Sequence, residues 1–259
     1  MEGMQHPYLA GARHPRILAH RGLTTPEMLA AGQVENSRAA IEAAIRAGCD
    51  LVETDCHLTR DGKVVLFHDA DLTRVTGDTR KVADVSLDEL AEVMSARGGV
   101  ITLDEALNTY PDTRFNVDVK AAAAAAPAGR IVAAHAHRVL LTSFSDEYRR
   151  RAIAAAAPAR PAASPGQRGV IRIVASLLLG LGVARALRGF DALQIPERQG
   201  PIRVLTPRLI AAAHRRGVEV HVWTVNDPDR MRELVAMGVD GIVTDRADLA
   251  IAALRPQKP

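Results

Sequence analysis

Eight short runs that read as strands recur along the 259-residue chain, with helical patterns and brief connections between them. This alternation constrains the fold most, because strand, helix and strand in succession build parallel sheet. The strands are expected at 17–20, 50–58, 114–120, 139–144, 159–164, 192–195, 219–225 and 241–244. The helices are expected at 37–47, 103–110, 146–157, 170–187, 207–216, 228–237 and 248–254, and Gly48, Gly217 and Gly238 stand where helix ends need them. Pro127, after the alanine run 121–126, predicts that the helix there is short. Eight strands and about as many helices in this length predict the α/β class as a (β/α)8 TIM barrel. A further strand over 63–68 and a weak helix over 87–94 mark a small insertion after strand 2, at about 60–100. Residues 1–15 read as an N-terminal extension and 16–255 as a single barrel domain.

Composition removes several classes. With 47% hydrophobic and 24% charged residues, the chain is neither collagen-like nor wholly disordered. Thirty-three Lys and Arg against 30 Asp and Glu leave a charge of only +3 without a long basic run, so no nucleic-acid partner is expected. Cys49 and Cys56 supply neither a disulfide framework nor a zinc cluster, and residues 1–15 carry no apolar signal segment, so a reducing, cytoplasmic setting is expected. The most apolar stretch, 170–187, has twelve uncharged residues between Arg172 and Arg185, too few to span a bilayer. It reads as a buried or interfacial helix, with packing on the barrel favoured over membrane contact.

Side chains alternate along a strand, so Glu53, Asp55 and His57 share one face, with the two carboxylates about 6–7 Å apart. Such a pair can grip one hard divalent cation. The third strand repeats the device: Asn116, Asp118 and Lys120 alternate with Phe115, Val117 and Val119, which are expected to face the helices. Polar groups at the C-terminal end of a barrel strand collect where catalytic groups sit, and burying them is costly unless they are paired or bound. Only 4 Lys stand against 29 Arg, so Lys120 is poor surface filler and suits a phosphate oxygen. His20-Arg21-Gly22 ends the first strand and His68 closes the run 64–67. Two histidines, cations for phosphate and a carboxylate-bound metal make a set able to cleave a phosphodiester.

These stretches resemble the glycerophosphodiester phosphodiesterases: His20-Arg-Gly, Val34-Glu-Asn-Ser, Leu51-Val-Glu-Thr-Asp-Cys-His-Leu-Thr-Arg-Asp-Gly, Val65-Leu-Phe-His-Asp, Asn116-Val-Asp-Val-Lys, His221-Val-Trp-Thr-Val-Asn and Gly238-Val-Asp-Gly-Ile-Val-Thr-Asp. The resemblance covers nearly the whole chain in family order. It implies a barrel that hydrolyses small-molecule glycerophosphodiesters to sn-glycerol 3-phosphate and an alcohol with Mg2+ or Ca2+. It further implies that Glu53, Asp55 and Asp118 hold the metal with Glu35 beside it, that His20 and His68 form the acid/base pair, that Arg21 and Lys120 hold phosphate, and that Trp223 packs on the glycerol. The implied route runs through a cyclic phosphate. Many members carry Glu where this chain has Asp118, and the connection 22–35 is longer than the family loop, as an added lid over the substrate would be. The alternatives are phospholipase D-like hydrolysis of lysophospholipids or sphingomyelin, and a non-catalytic barrel that binds phosphorylated ligands. His57 is expected to support the site without ligating, His214 to lie on a helix surface and His221 in the barrel interior.

Overall fold

The main strands are buried on both faces, which decides the architecture, because one set of side chains packs inward and the other outward against helices. The structure, a computed structural model, describes residues 5–255. Its strands are β1 Arg16–His20, β2 Leu51–Leu58, β3 Val64–Leu66, β4 Arg114–Val119, β5 Val139–Thr142, β6 Ala162–Ala163, β7 Ala192–Pro196, β8 Arg198–Gln199, β9 Ile202–Arg203, β10 Glu219–Trp223 and β11 Gly241–Thr244. Eight run parallel in the order β6-β5-β4-β2-β1-β11-β10-β7. The ends of this path meet where Asp191 N–H donates to Ala163 O at 2.9 Å and Gln194 N–H to Ser164 Oγ at 3.2 Å. The result is a nearly closed (β/α)8 barrel, with β3 antiparallel on β2 as the start of the insertion.

The helices are α1 Pro26–Ala30, α2 Arg38–Arg46, α3 Thr73–Thr76, α4 Leu87–Met94, α5 Leu103–Thr109, α6 Ala122–Ala133, α7 Asp146–Ala155, α8 Gln167–Leu178, α9 Val183–Ala186, α10 Pro207–His214, α11 Pro228–Ala236 and α12 Ala247–Leu254. Two differ from expectation. α6 runs through Pro127 for twelve residues, because its small face is packed tightly enough to offset the lost hydrogen bond. A Cβ at Gly129 would lie 2.0 Å from Ala152 O, so the α6 backbone rests directly on α7. The stretch 170–187 is not one helix: Gly180 and Gly182, both at positive φ, separate α8 from α9. The connection 22–35 contains the short helix α1, capped by Thr25.

Three apolar clusters hold these parts. Phe115, Val117 and Val119 face the helical shell together with Ile17, Val52 and Ile242. Inside the barrel, Leu18, Leu51, Leu140, Ala192 and Val243 form a layer that Tyr8 and Leu9 close from below. The insertion has its own core of Val65, Phe67, Leu72, Val82, Leu90 and Met94. The barrel is thus filled at its N-terminal end around the buried Arg16, Glu219 and His221, and Glu53, Asp55 and Asp118 gather at the other.

Candidate active site

Strand register brings the singled-out residues to one mouth. His20 pairs with Glu53, Glu53 with Asn116, and Asp55 with Asp118 across β1, β2 and β4. Glu53, Asp55 and Asp118 are all buried. Gly22 turns the chain beyond His20 at φ 86°, where a Cβ would lie 2.6 Å from the Ala40 backbone. Only glycine fits this approach of the turn to α2, and it leaves Arg21 folded back over β2.

A ladder of charges crosses this mouth. Lys120 Nζ stands 2.9 Å from Asp55 Oδ1 and 2.8 Å from Asp118 Oδ2. Arg21 lies 2.6 Å from Glu35 and 3.2 Å from Asp55, and Arg74 lies 2.6 Å from Glu35 and from Asp69. Asn36 donates from Nδ2 to Asp55 Oδ2 at 3.0 Å, while its Oδ1 accepts from Thr54 Oγ1 at 2.6 Å. Burial opposes the charge on Asp55, but Lys120 and Arg21 outweigh it and hold its carboxyl below the usual range. Glu53 differs: burial and the neighbouring Asp55 push it up to about 8. Burial likewise raises Asp118 despite Lys120, and its Oδ1 has no hydrogen-bond partner.

The donor set suits a hard divalent cation on chemical grounds. Six carboxylates, from Glu35, Glu53, Asp55, Asp69, Asp118 and Asp245, face three fixed cations, Arg21, Arg74 and Lys120. Glu53 meets no cationic side chain closer than His20 Nε2 at 3.9 Å. Among the described residues, no three His, Cys, Asp or Glu side chains converge as a finished ligand set. Asp55 and Asp118 are instead closed on Lys120, so the lysine expected on phosphate neutralises carboxylates here, as Arg21 does.

The two histidines are built alike. His20 Nδ1 lies 2.6 Å from Asp245 Oδ1, and Asn226 Nδ2 donates to Asp245 Oδ2 at 2.7 Å. His68 Nδ1 lies 2.6 Å from Asp69 Oδ1, with Arg74 Nε donating to Asp69 Oδ2 at 2.6 Å. A carboxylate only accepts, so each Nδ1 carries hydrogen and each Nε2 is left as the exchangeable position. Burial works against a charge on His20, but Asp245 and Glu53 more than offset it and raise its pKa. His57 makes no carboxylate contact; its Nε2 lies 3.1 Å from the His68 carbonyl, bracing the strand end that presents His68. His57, His68, Asp69, Arg74 and Lys120 line a cavity of about 630 Å³.

Trp223 meets Phe144 edge to face at 5.8 Å, and Lys120 Nζ lies 5.2 Å from the centre of the Phe144 ring. The aromatic wall therefore stands beside the charged ladder. Residue pattern alone does not single out Phe144, Asn36, Asp69, Arg74 or Asp245. Asp69 adjoins His68, and a closed barrel sets the last strand beside the first, which would bring Asp245 to His20. No sequence signal identifies Arg74. His214 is an exposed helix residue bonded to Asp240, and His221 is fully buried in the barrel beside Glu219, as expected.

The sequence matches the glycerophosphoryl diester phosphodiesterase family over residues 20–249. It is 37% identical over 237 residues to "Probable glycerophosphodiester phosphodiesterase 2" of Mycobacterium tuberculosis, covering 90% of this chain and 88% of that protein. It is 24% identical to "Lysophospholipase D GDPD1" of Rattus norvegicus, over 89% of this chain and 83% of that one. The fold is similar to that of a glycerophosphodiester phosphodiesterase from Thermotoga maritima, with a TM-score of 0.73, 25% identity and coverage of 93% and 99%. An Oleispira antarctica phosphodiesterase in complex with the product sn-glycerol-3-phosphate has the same fold at a TM-score of 0.69 and 20% identity, over 93% and 96% of the two chains.

Proposed function

The chain belongs to the glycerophosphoryl diester phosphodiesterase family and is a hydrolase of glycerophosphodiesters, and from that premise we propose that it releases sn-glycerol 3-phosphate and an alcohol by two-histidine acid/base catalysis supported by a divalent cation. The observation that carries this reading is the pair of imidazoles at one mouth, each tied through Nδ1 to its own carboxylate. Fixing Nδ1–H aims Nε2 at the substrate and stabilises the imidazolium that forms when it takes a proton. One Nε2 then removes the proton from the glycerol 2-hydroxyl as that oxygen bonds to phosphorus. The other donates a proton to the leaving alcohol as its P–O bond breaks. The cyclic phosphate is opened by water with the two roles exchanged.

Glu53, Asp55 and Asp118 are the residues proposed to hold the cation, with Glu35 beside them. When bound, it supplies positive charge against the developing negative charge at phosphorus and lowers the pKa of the attacking hydroxyl. Arg21 and Lys120 neutralise phosphate oxygens once substrate competes for them with Glu35, Asp55 and Asp118. Trp223 and Phe144 offer an apolar edge to the glycerol carbons. The test is release of glycerol 3-phosphate from a panel of glycerophosphodiesters in EDTA, then with Mg2+, Ca2+ or Mn2+ restored. Metal-restored release supports the proposal, and turnover unaffected by EDTA removes the cation from it. Lysophospholipids belong in the same panel, because the rat relative's name is that of a lysophospholipase D.

A further inference from the structure

The small net charge conceals a strongly polarised segment. Residues 148–190 contain eight arginines and no aspartate or glutamate. Arg149 and Arg160 pair with Asp146 and Asp191, but among the described residues Arg150, Arg168, Arg172, Arg185 and Arg188 form no ion pair, unlike Arg21, Arg74, Arg60 and Arg80 around the mouth and the insertion. Asp146, just before the segment, bonds the backbone N–H groups of Gly166 and Gly169 at the start of α8 as well as pairing with Arg149.

The same segment exposes apolar surface. α8 buries Gly169, Ile173 and Leu177, one face of the helix, against the barrel. Its opposite face carries Arg168, Ile171, Arg172, Leu178 and Leu179. Ile171 is 60% exposed, Leu178 75%, Leu179 74% and Leu181 72%. Gly180 and Gly182, at φ 70° and 71°, make the turn that presents Leu181. Single exposed aliphatics need no explanation, but four along one helix and its turn, flanked by unpaired arginines, form a patch. A cavity of about 390 Å³ at the first turn of α8 is lined by Phe144, Asp146, Glu147, Arg150, Arg168 and Arg172, so the arginines of the outward face reach the edge of the aromatic wall, with two acids beside them.

We propose that the outward face of α8, with the Gly180–Gly182 turn and α9, docks onto an anionic phospholipid bilayer. Aliphatics flanked by cations match a surface whose outer layer is phosphate and whose next layer is hydrocarbon. No described helix is long and apolar enough to cross a membrane, so the contact is one of α8 lying in the interface. A second copy of this chain fits less well, because a two-fold contact would oppose Arg172 and its neighbours to their own charge. The docking is independent of the reaction proposed above, so failure of one leaves the other standing.

The experiment is co-sedimentation of the full chain with vesicles of phosphatidylcholine alone and with vesicles in which one lipid in three is phosphatidylglycerol. Binding to the anionic vesicles is expected at least about tenfold above the neutral ones, falling as salt screens the arginines. Leu178→Asp with Leu179→Asp, and separately Arg168→Glu with Arg172→Glu, are each expected to weaken it about tenfold or more. All four positions are solvent-exposed, so wild-type melting and wild-type turnover of a soluble glycerophosphodiester are expected of both variants. Equal binding to both vesicle types, no binding to either, or unchanged binding by both variants overturns the proposal. So does a dimer that the leucine variant abolishes, since it identifies a second copy as the occupant.

Discussion

Lys120 Nζ bridges Asp55 and Asp118, at 2.9 and 2.8 Å, where parallel pairing of β2 with β4 sets the two aspartates side by side. Two buried carboxylates in register repel unless a cation lies between them, and the ammonium meets that need. Removing it leaves uncompensated charge in the mouth. Lys120→Met is therefore expected to lower stability by about 3–5 kcal/mol in EDTA, and to regain part of that loss on adding Mg2+ or Ca2+. Thermal melts of wild type and variant across a metal titration test this. A variant that melts like wild type without metal would show that the lysine does not hold the pair.

His20 offers a test of positioning. Its raised pKa depends on Asp245, whose charge and hydrogen bond favour the imidazolium. Asp245→Asn keeps the shape and removes that charge, so His20 loses its proton at lower pH. Whichever limb of the pH profile of kcat/KM His20 controls is expected to move to lower pH in the variant. The rate loss should be smaller than that of His20→Ala or His68→Ala, each about 10²- to 10⁴-fold. A profile unmoved by Asp245→Asn would separate Asp245 from His20 function.

Much of this arrangement is legible in the sequence because strands impose a period of two. Glu53, Asp55 and His57 share a face in the sequence for the same reason they do in the fold, and Asn116, Asp118 and Lys120 repeat the pattern one strand over. Tertiary packing is less legible: the contact of Gly129 with α7 lets α6 run through Pro127, which local propensity argues against. Nor does a list of charges reveal pairing. Lys120 reads as a phosphate ligand in isolation, yet in the fold it is held by two carboxylates whose nearness depends on the β2–β4 register. Arg74 lies in the inserted segment, whose path over the mouth follows no periodic pattern.

Asn36 gives a third prediction. It sits at φ 54°, a conformation that asparagine tolerates better than most residues, and bonds both Asp55 and Thr54. Asn36→Ala removes a buried donor from Asp55 and an acceptor from Thr54, at a cost of about 1–3 kcal/mol. Because Asp55 also loses a fixed rotamer, weaker cation binding is expected, read as a higher metal concentration for half-maximal activity. Lower stability with unchanged metal dependence would confine Asn36 to a structural role.

Glu219 lies at the opposite end of the barrel and sets its acid stability. Its carboxylate meets Arg16 Nη2 at 2.8 Å, His221 Nε2 at 3.1 Å and Gln5 Nε2 at 2.9 Å, and Arg16 is almost wholly buried. Burial alone would raise Glu219, but the bonds to His221 and Arg16 hold it down at about 2, from an ordinary 4.5. A depressed carboxyl favours the folded state wherever the unfolded chain would bind a proton that the folded one refuses. Its contribution is therefore complete above about pH 4.5 and is lost as pH falls toward 2. The shift corresponds to about 3 kcal/mol. Urea unfolding of wild type and Glu219→Gln is expected to differ by about that much at pH 7, with the gap closing between pH 4.5 and 2. A gap that stays constant through this window would assign the loss to altered packing around Arg16 instead of to the charge on Glu219.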